Sequence, residues 1–351
     1  MDKVARLTAA DRAALFNQTG AALGLANMII EKDFWVCWTL KRLFGLQGQD
    51  TPGLVFKGGT SLSKAYNAIR RFSEDIDLSF DRKGLGYGGE RDPQTAPSKK
   101  KAEKLIENLV AGVQHHIATV LLPRLNNAIT SELGPSKKAG WSLVIDDAEA
   151  QNLIFHYPAS LGDTDYAGLT YLSRRVKLEF GARGDPWPAE QREIRPYTAE
   201  AFPDFFELPT CTVNVLALRR TFWEKATLLH TEHHRPADKP TPPYLSRHYY
   251  DLAMLADGED SQAAMQDINL LIQVANHKSV FFRSAWAHYE TARPGTLRLT
   301  PNPDRLANLR SDYRKMAPMI FDDPAPGFEH IMKRIEELER SINNELRASG
   351  E

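Results

Sequence analysis

Two carboxylates, Asp75 and Asp77, follow a glycine turn, Phe56-Lys57-Gly58-Gly59-Thr60-Ser61, after about one helix-length of chain. Leu54-Val55-Phe56 is a short apolar run ended by a glycine pair, which predicts a buried strand running into a tight turn. Glycines there let the backbone approach a ligand closely and take positive φ. Thr60 or Ser61 is placed to cap the following helix, whose apolar face is Leu62, Ala65, Tyr66 and Ile69. The free N–H groups of its first turn suit an anionic phosphate. From Asp75 to Phe80, strand alternation puts Ile76, Leu78 and Phe80 on one face and Asp75, Asp77 and Ser79 on the other. Two neighbouring carboxylates repel each other. A hard divalent cation, Mg²⁺ or Mn²⁺, removes that repulsion and bridges to triphosphate oxygens. Metal-assisted chemistry on a nucleoside triphosphate requires this combination.

Taken alone, a Gly-Gly-Thr is ordinarily a turn, and an Asp-x-Asp is ordinarily a solvated strand edge. Joined as strand, glycine turn, amphipathic helix and acidic strand they are far more specific. No Gly-Lys-Ser/Thr follows at Walker A spacing and no G-x-G-x-x-G is present, which excludes both of those phosphate sites.

Further chemistry lies downstream. In Arg175-Val176-Lys177-Leu178-Glu179-Phe180, Lys177 and Glu179 share one strand face and Val176, Leu178 and Phe180 the other. With the apolar face in the same core as Ile76 and Leu78, Glu179 is a candidate third metal carboxylate and Lys177 a candidate triphosphate contact. A surface ion pair on an edge strand is the competing reading. The helix from Arg219 to His230 buries Leu218, Phe222 or Trp223, Ala226 and Leu229, and it presents Thr221 and Lys225 together at i,i+4. A lysine there suits phosphate charge in a transition state. In Ser246-Arg247-His248-Tyr249-Tyr250-Asp251-Leu252, Arg247 and Asp251 have the spacing of a helical ion pair. His230, His233 and His234 lack the Cys or Asp spacing of a zinc site and read as helix-end residues, where a cationic side chain is favourable.

The elements that must position these groups are also readable. Thr8 and Asp11 mark a helix start, and helical periodicity runs with breaks to about Leu46. Residues 84–101 read as a loop, and Lys104 to about Ser131 as a long helix broken or ended near Pro123. Strand character falls on Leu143–Asp146, Asn152–Tyr157, Arg174–Ala182 and Thr212–Ala217. Asp185 to Pro209 holds five prolines and reads as loop with short helical pieces. Leu218–Glu232, Tyr244–Asp257, Gln262–Ala275 and Phe328–Leu346 read as helices, the last with a charged, solvated face containing Glu336, Glu337, Glu339 and Arg340. This is an α+β pattern: an N-terminal helical segment (1–46), a mixed-sheet core (47–217) and a C-terminal helical domain (218–351).

With 351 residues the chain can bury a full core, and a net charge of −1 gives no overall pull toward nucleic acid. RNA contacts must then come from local basic groups, for which Lys99–Lys101, Lys137–Lys138 and Arg174–Arg175 are candidates. Cys37 and Cys211 are too few for a disulfide scaffold and read as buried thiols of a cytoplasmic protein. No apolar run reaches membrane-spanning length and no signal peptide opens the chain, so no membrane partner is expected.

Lys57-Gly58-Gly59-Thr60-Ser61-Leu62, Arg71-Phe72-Ser73-Glu74-Asp75-Ile76-Asp77-Leu78, Lys177-Leu178-Glu179, Arg220-Thr221-Phe222-Trp223-Glu224-Lys225 and Arg247-His248-Tyr249-Tyr250-Asp251-Leu252 together resemble the AbiEii/AbiGii family of nucleotidyltransferase toxins. The likeness spans roughly Glu31 to Leu255 in the family's order. It implies a catalytic core like that of DNA polymerase β, an NTP substrate with Mg²⁺ or Mn²⁺, a cognate antitoxin, and an acceptor that in several members is the 3′ end of tRNA. It further implies that Gly58, Gly59, Thr60 and Ser61 bind triphosphate and that Asp75 and Asp77 hold metal. Lys225 would contact phosphate, with Lys177 and Arg247 as further nucleotide contacts, and Asp251 would serve as acid, base or orienting carboxylate. The chain departs from the usual Gly-Ser turn, offering Gly59-Thr60 with Ser61 one place on. Glu179 and Asp251 compete for the role of third carboxylate. Two alternatives stand beside nucleotidyl transfer to tRNA: modification of a protein hydroxyl by nucleotide or γ-phosphate, and nucleotide binding without turnover.

Overall fold

The structure, a computed structural model, describes residues 1–48, 51–166, 173–258, 261–322 and 324–348. Its residues gather into two compact units. The first comprises Met1–Ala65, Ser73–Asp92 and Lys104–Val215; the second comprises Tyr66–Phe72, Pro93–Glu103 and Leu216–Glu351.

A mixed sheet forms the first unit. Its strands are β1 (Leu54–Lys57), β2 (Ile76–Phe80), β3 (Ser142–Ile145), β4 (Asn152–His156), β5 (Val176–Gly181), β6 (Ala189–Ile194) and β7 (Cys211–Leu216), in the order β3-β4-β5-β2-β1-β7-β6. β2 runs antiparallel to β1 and parallel to β5, while β4 runs antiparallel to both β3 and β5. Alternation does what the sequence requires: Ile76, Leu78, Val176 and Leu178 are fully buried, and Asp77, Lys177 and Glu179 stay partly open.

Helices α1 (Ala9–Leu23) and α2 (Asn27–Gly45) supply the expected N-terminal segment. Thr8 caps α1 by accepting a hydrogen bond from the Asp11 amide. The helix after the glycine turn, α3 (Gly58–Lys64), is shorter than its apolar spacing predicts. It ends at Ala65, and Asn67 two residues on takes a φ of 50°. Tyr66 and Ile69 accordingly belong to the second unit.

Lys99–His116 (α4) starts inside the predicted loop and continues through a π-turn at Ile117–Leu121 into α5 (Leu122–Leu133). The wider turn accommodates Pro123, which lacks the N–H that a regular helix interior needs. By length and composition this 35-residue run is apolar enough to cross a membrane, contrary to the sequence expectation, although core helices of soluble proteins meet the same test. Its stripe of Leu109, Val113, Ile117, Leu125 and Ile129 is fully buried in the fold, and His116 meets the Phe80 ring edge-on at 5.3 Å. β6 falls where five prolines suggested loop. Its middle residues are exposed, as its place at the edge of the sheet allows.

The second unit is helical: α6 (Leu218–His233), α7 (Ser246–Asp257), α8 (Ser261–Gln266), α9 (Ile268–Phe281), α10 (Leu306–Met316) and α11 (Phe328–Ala348). Asp267 splits the single helix expected over 262–275, because its side chain caps α9 at the Leu270 amide. α10 is not among the helices read from the sequence; Leu309, Tyr313 and Met316 form its buried stripe. On α11, Arg340 and Glu336 are a solvated pair, as expected. Glu339 is not: it is 7% exposed and accepts hydrogen bonds from the Leu299 and Thr300 amides.

Candidate active site

Strand register assembles one row of polar side chains across the first unit. Lys57 faces Asp77, Asp77 faces Glu179, and Glu179 faces Asn152. Directly paired residues project from the same face of a sheet. The row borders a cavity of about 410 Å³ that is also lined by Glu149, Gln151, Lys177 and Gly181.

Gly58 closes the turn against this row with a φ of +78°. A Cβ built on it would fall 1.9 Å from Oδ2 of Asp77, so backbone conformation and close approach both demand glycine. Thr60 and Ser61 are buried, and their hydroxyls donate to main-chain carbonyls, Thr60 to Asp75 at 2.5 Å and Ser61 to Gly58 at 2.9 Å. The Thr60 bond ties the turn to the acidic strand.

Burial is the largest influence on Asp75, and the charges of Glu74, Glu179 and Asp77 add to it, pushing its pKa up to about 7; Lys32 offsets this only in part. A carboxylate cluster that resists its own ionisation is chemically suited to a divalent cation. Among the described residues no three His, Cys, Asp or Glu side chains converge as a ready-made metal set. Asp75 and Asp77 therefore fit a cation that takes two carboxylates and completes its shell with phosphate oxygens and water, as Mg²⁺ does. Glu179, beside Asp77 in the register, forms an ion pair with Lys177. Burial lowers the Lys177 pKa, but the bond to Glu179 and the charges of Glu179, Asp75 and Asp146 raise it on balance.

Helix α2 holds the site from behind through three consecutive buried ionisable residues. Lys32 is paired with Glu74 and donates to the Ser173 carbonyl at 3.1 Å. Asp33 pairs with Lys64, at the end of α3, at 2.8 Å and accepts from the Tyr197 amide at 2.7 Å. Glu31 accepts from the Ser160 amide at 2.5 Å and the Tyr166 hydroxyl at 2.8 Å. Sequence reasoning gave no role to Lys32, Lys57 or Asn152. The signal for Lys32 was three charges in a row on an otherwise apolar helix, where burial demands partners.

In the second unit Arg71, Lys225 and Asp251 form a buried triad. The Asp251 carboxylate is fully buried and accepts from Arg71 Nε at 2.7 Å, from Arg71 Nη2 at 2.9 Å and from Lys225 Nζ at 2.7 Å. Burial opposes its charge, yet the two cations hold it well below the ordinary carboxylate range. Burial lowers the Lys225 pKa, with Asp251 acting in the opposite sense. The helical pair expected between Arg247 and Asp251 does not form. Asp251 points inward to cations from elsewhere in the unit, and Arg247 is exposed.

The histidines do lie at the end of α6, but His230 and His234 are disfavoured there as cations. Burial lowers the His230 pKa, and burial together with His230 and His233 takes His234 down to about 4. His230 is held by the His288 carbonyl at 3.0 Å and the Arg298 amide at 3.0 Å. Of the basic clusters, Lys99–Lys101 and Lys137–Lys138 are exposed, whereas Arg174 stacks over the Tyr166 ring at 4.8 Å. Cys37 is buried and Cys211 partly so, and burial raises both thiol pKa values.

A family model described as "Nucleotidyl transferase AbiEii toxin, Type IV TA system" matches residues 41–334. Among solved structures, MenT4, a nucleotidyltransferase toxin from Mycobacterium tuberculosis H37Rv, is similar with a TM-score of 0.44 and 18% identity, covering 95% of this chain and 98% of that one. A search of curated proteins finds no match.

Proposed function

The chain belongs to the AbiEii family of nucleotidyltransferase toxins of type IV toxin–antitoxin systems, and we propose that it transfers a nucleoside monophosphate from an NTP to the 3′ end of tRNA in the cytoplasm. The acceptor hydroxyl attacks the α-phosphorus in line, the bond to the bridging oxygen breaks, pyrophosphate leaves, and the hydroxyl proton passes to solvent. Gly58 and Gly59 bring backbone amides to the triphosphate, and the buried Thr60 and Ser61 hold that turn in shape. Asp75 and Asp77 would hold Mg²⁺ or Mn²⁺, which would neutralise charge on the triphosphate. Lys57 and Lys177, on the rim of the same cavity, are the cations available to phosphate oxygens.

The observation that carries the reading is the close approach of Gly58 to the Asp77 carboxylate, which joins a phosphate-type turn to a metal-type strand. Of the two candidates for a third carboxylate, Glu179 has the better position as the register neighbour of Asp77. Asp251 commits both oxygens to Arg71 and Lys225, which favours the orienting role over acid or base. The assignment of Lys225 and Arg247 to nucleotide rests on the family pattern alone. A cognate antitoxin follows from the family.

Incubation of tRNA with α-³²P-labelled NTPs tests the proposal, with Asp75→Ala as control. Label on tRNA from the parent and none from the variant is the expected result. Label transferred only from γ-³²P, or unchanged tRNA ends in growth-arrested cells, would sink it.

A further inference from the structure

We propose that Asn152 reads the base of the incoming nucleotide, an inference that rests on the nucleotidyl-transfer reading of this site. Asn152 opens β4 and lines the cavity, yet it is only 6% exposed. Its backbone is fully used, donating to the Glu149 carbonyl at 2.8 Å and accepting from the Asp146 amide at 2.9 Å. Its carboxamide has no hydrogen-bond partner among the described residues. The neighbouring amide makes the contrast: Gln151 donates to Glu149 at 3.3 Å and accepts from the Ala182 amide at 3.4 Å. Neither carboxamide atom is among the fully buried polar atoms without a partner, so the group opens onto the cavity, where a ligand hydrogen bond would take the place of water.

Position decides which part of the ligand it meets. Asn152 stands two strands from Asp77, with Glu179 between them. At about 4.8 Å per strand spacing that is roughly 10 Å. With the α-phosphate beside Asp77, such a distance passes the phosphates and reaches toward the base. Chemistry agrees with geometry. Of the charged groups lining the cavity, Lys57, Asp77, Lys177 and Glu179 stand on β1, β2 and β5 and Glu149 on the turn before β4, whereas Asn152 on β4 itself offers one neutral donor and one neutral acceptor side by side. That pair matches a base edge, which also presents donors and acceptors together.

Equilibrium dissociation constants of ATP, CTP, GTP and UTP for the full chain, with Ca²⁺ replacing Mg²⁺ so that no turnover intervenes, test the inference. For the parent we expect unequal affinities. Asn152→Ala should weaken the preferred NTP by about tenfold and compress the spread among the four. Asn152→Asp removes the donor at equal volume. It should disfavour UTP relative to CTP, because cytosine presents an amino donor where uracil presents a carbonyl. Melting temperatures establish that each variant is folded, and Asn152→Ser replaces either one that is not. An equal loss for all four NTPs means that Asn152 only orients Glu179, and it overturns the proposal. So does an unchanged set of affinities, or a loss confined to discrimination between ribose and deoxyribose. Because tRNA is absent from the measurement, failure of the tRNA assignment leaves a distinct signature: altered NTP ratios with unmodified tRNA ends.

Discussion

Gly58 and Asp77 touch so closely that a single added carbon on the glycine would lie 1.9 Å from the carboxylate oxygen and 2.7 Å from its carbon. Gly58→Ala should therefore displace Asp77 or open the turn, and it also strains a φ of +78°. The strain alone costs about 1 kcal/mol or more, and a displacement of about 1 Å in a transfer site can cost about 10²-fold in rate. We expect a small fall in melting temperature and a loss of about that size in nucleotide transfer. Thermal denaturation and kcat/KM measured together check both, and full activity in a folded variant would contradict the assigned geometry.

Metal binding should release protons. With its pKa near 7, Asp75 is substantially protonated at neutral pH without metal. A cation binds only the carboxylate form, so Mg²⁺ affinity should rise as pH increases from about 6 to 8. The sign for stability is opposite. A carboxyl whose folded pKa lies above the ordinary carboxylate value of 3.8 keeps a proton in the folded chain at pH values where it is ionised in the unfolded one. The metal-free protein thus loses stability as pH rises from about 4 to 7, and Mg²⁺ restores it. Calorimetric titrations in buffers of different ionisation enthalpy measure the proton count directly, and pH-independent Mg²⁺ affinity would refute this.

How much of this site the sequence announces depends on whether a residue's role is local or cross-strand. The Gly58 turn, the Asp77 strand and the Lys177/Glu179 strand follow local periods and form in the structure, although Asp75 lies just before β2 and Ser79, expected on the open face, is fully buried. Asn152 carries no local signal. Only the β4–β5 register places it beside Glu179, and register depends on the whole sheet. The Arg247 error has the same origin. An i,i+4 spacing predicts a helical pair, but Asp251 is fully buried, and cations distant in sequence, Arg71 and Lys225, reach it instead. Glu339 looked solvated because charge dominates its neighbourhood in sequence, while two backbone amides some forty residues earlier in the chain claim it. The strand at Ala189–Ile194 escaped because an exposed edge strand has no apolar alternation to detect.

Asp251→Asn should be among the most destabilising single substitutions in the helical unit. It leaves Arg71 and Lys225 buried side by side with no compensating anion, and removing one partner of a buried pair costs about 3–5 kcal/mol. Because the folded pKa of Asp251 is depressed, its contribution is present above the ordinary carboxylate range and is lost only as pH falls through the folded value. The difference in unfolding free energy between parent and variant, measured in urea, should be large at pH 7 and shrink in strong acid. A constant difference across that range would show that the charge is not what stabilises the unit.

Lys32 tunes the site without touching the cavity. It is 1% exposed and paired with Glu74, the residue immediately before Asp75, and its positive charge is what partly offsets the upward push on Asp75. Lys32→Met keeps the bulk of the side chain and removes the charge. Glu74 is then left as an unbalanced anion next to Asp75, and the Asp75 pKa should climb above 7. The pH at which Mg²⁺ binding reaches half its limiting affinity should move to the alkaline side, while affinity at high pH, where Asp75 is ionised in both proteins, should converge on the parent value. Removing both charges in Lys32→Met/Glu74→Gln should return the midpoint toward the parent. A Lys32→Met profile that is lowered at every pH by one factor would instead mean that Lys32 only supports packing between α2 and the strand.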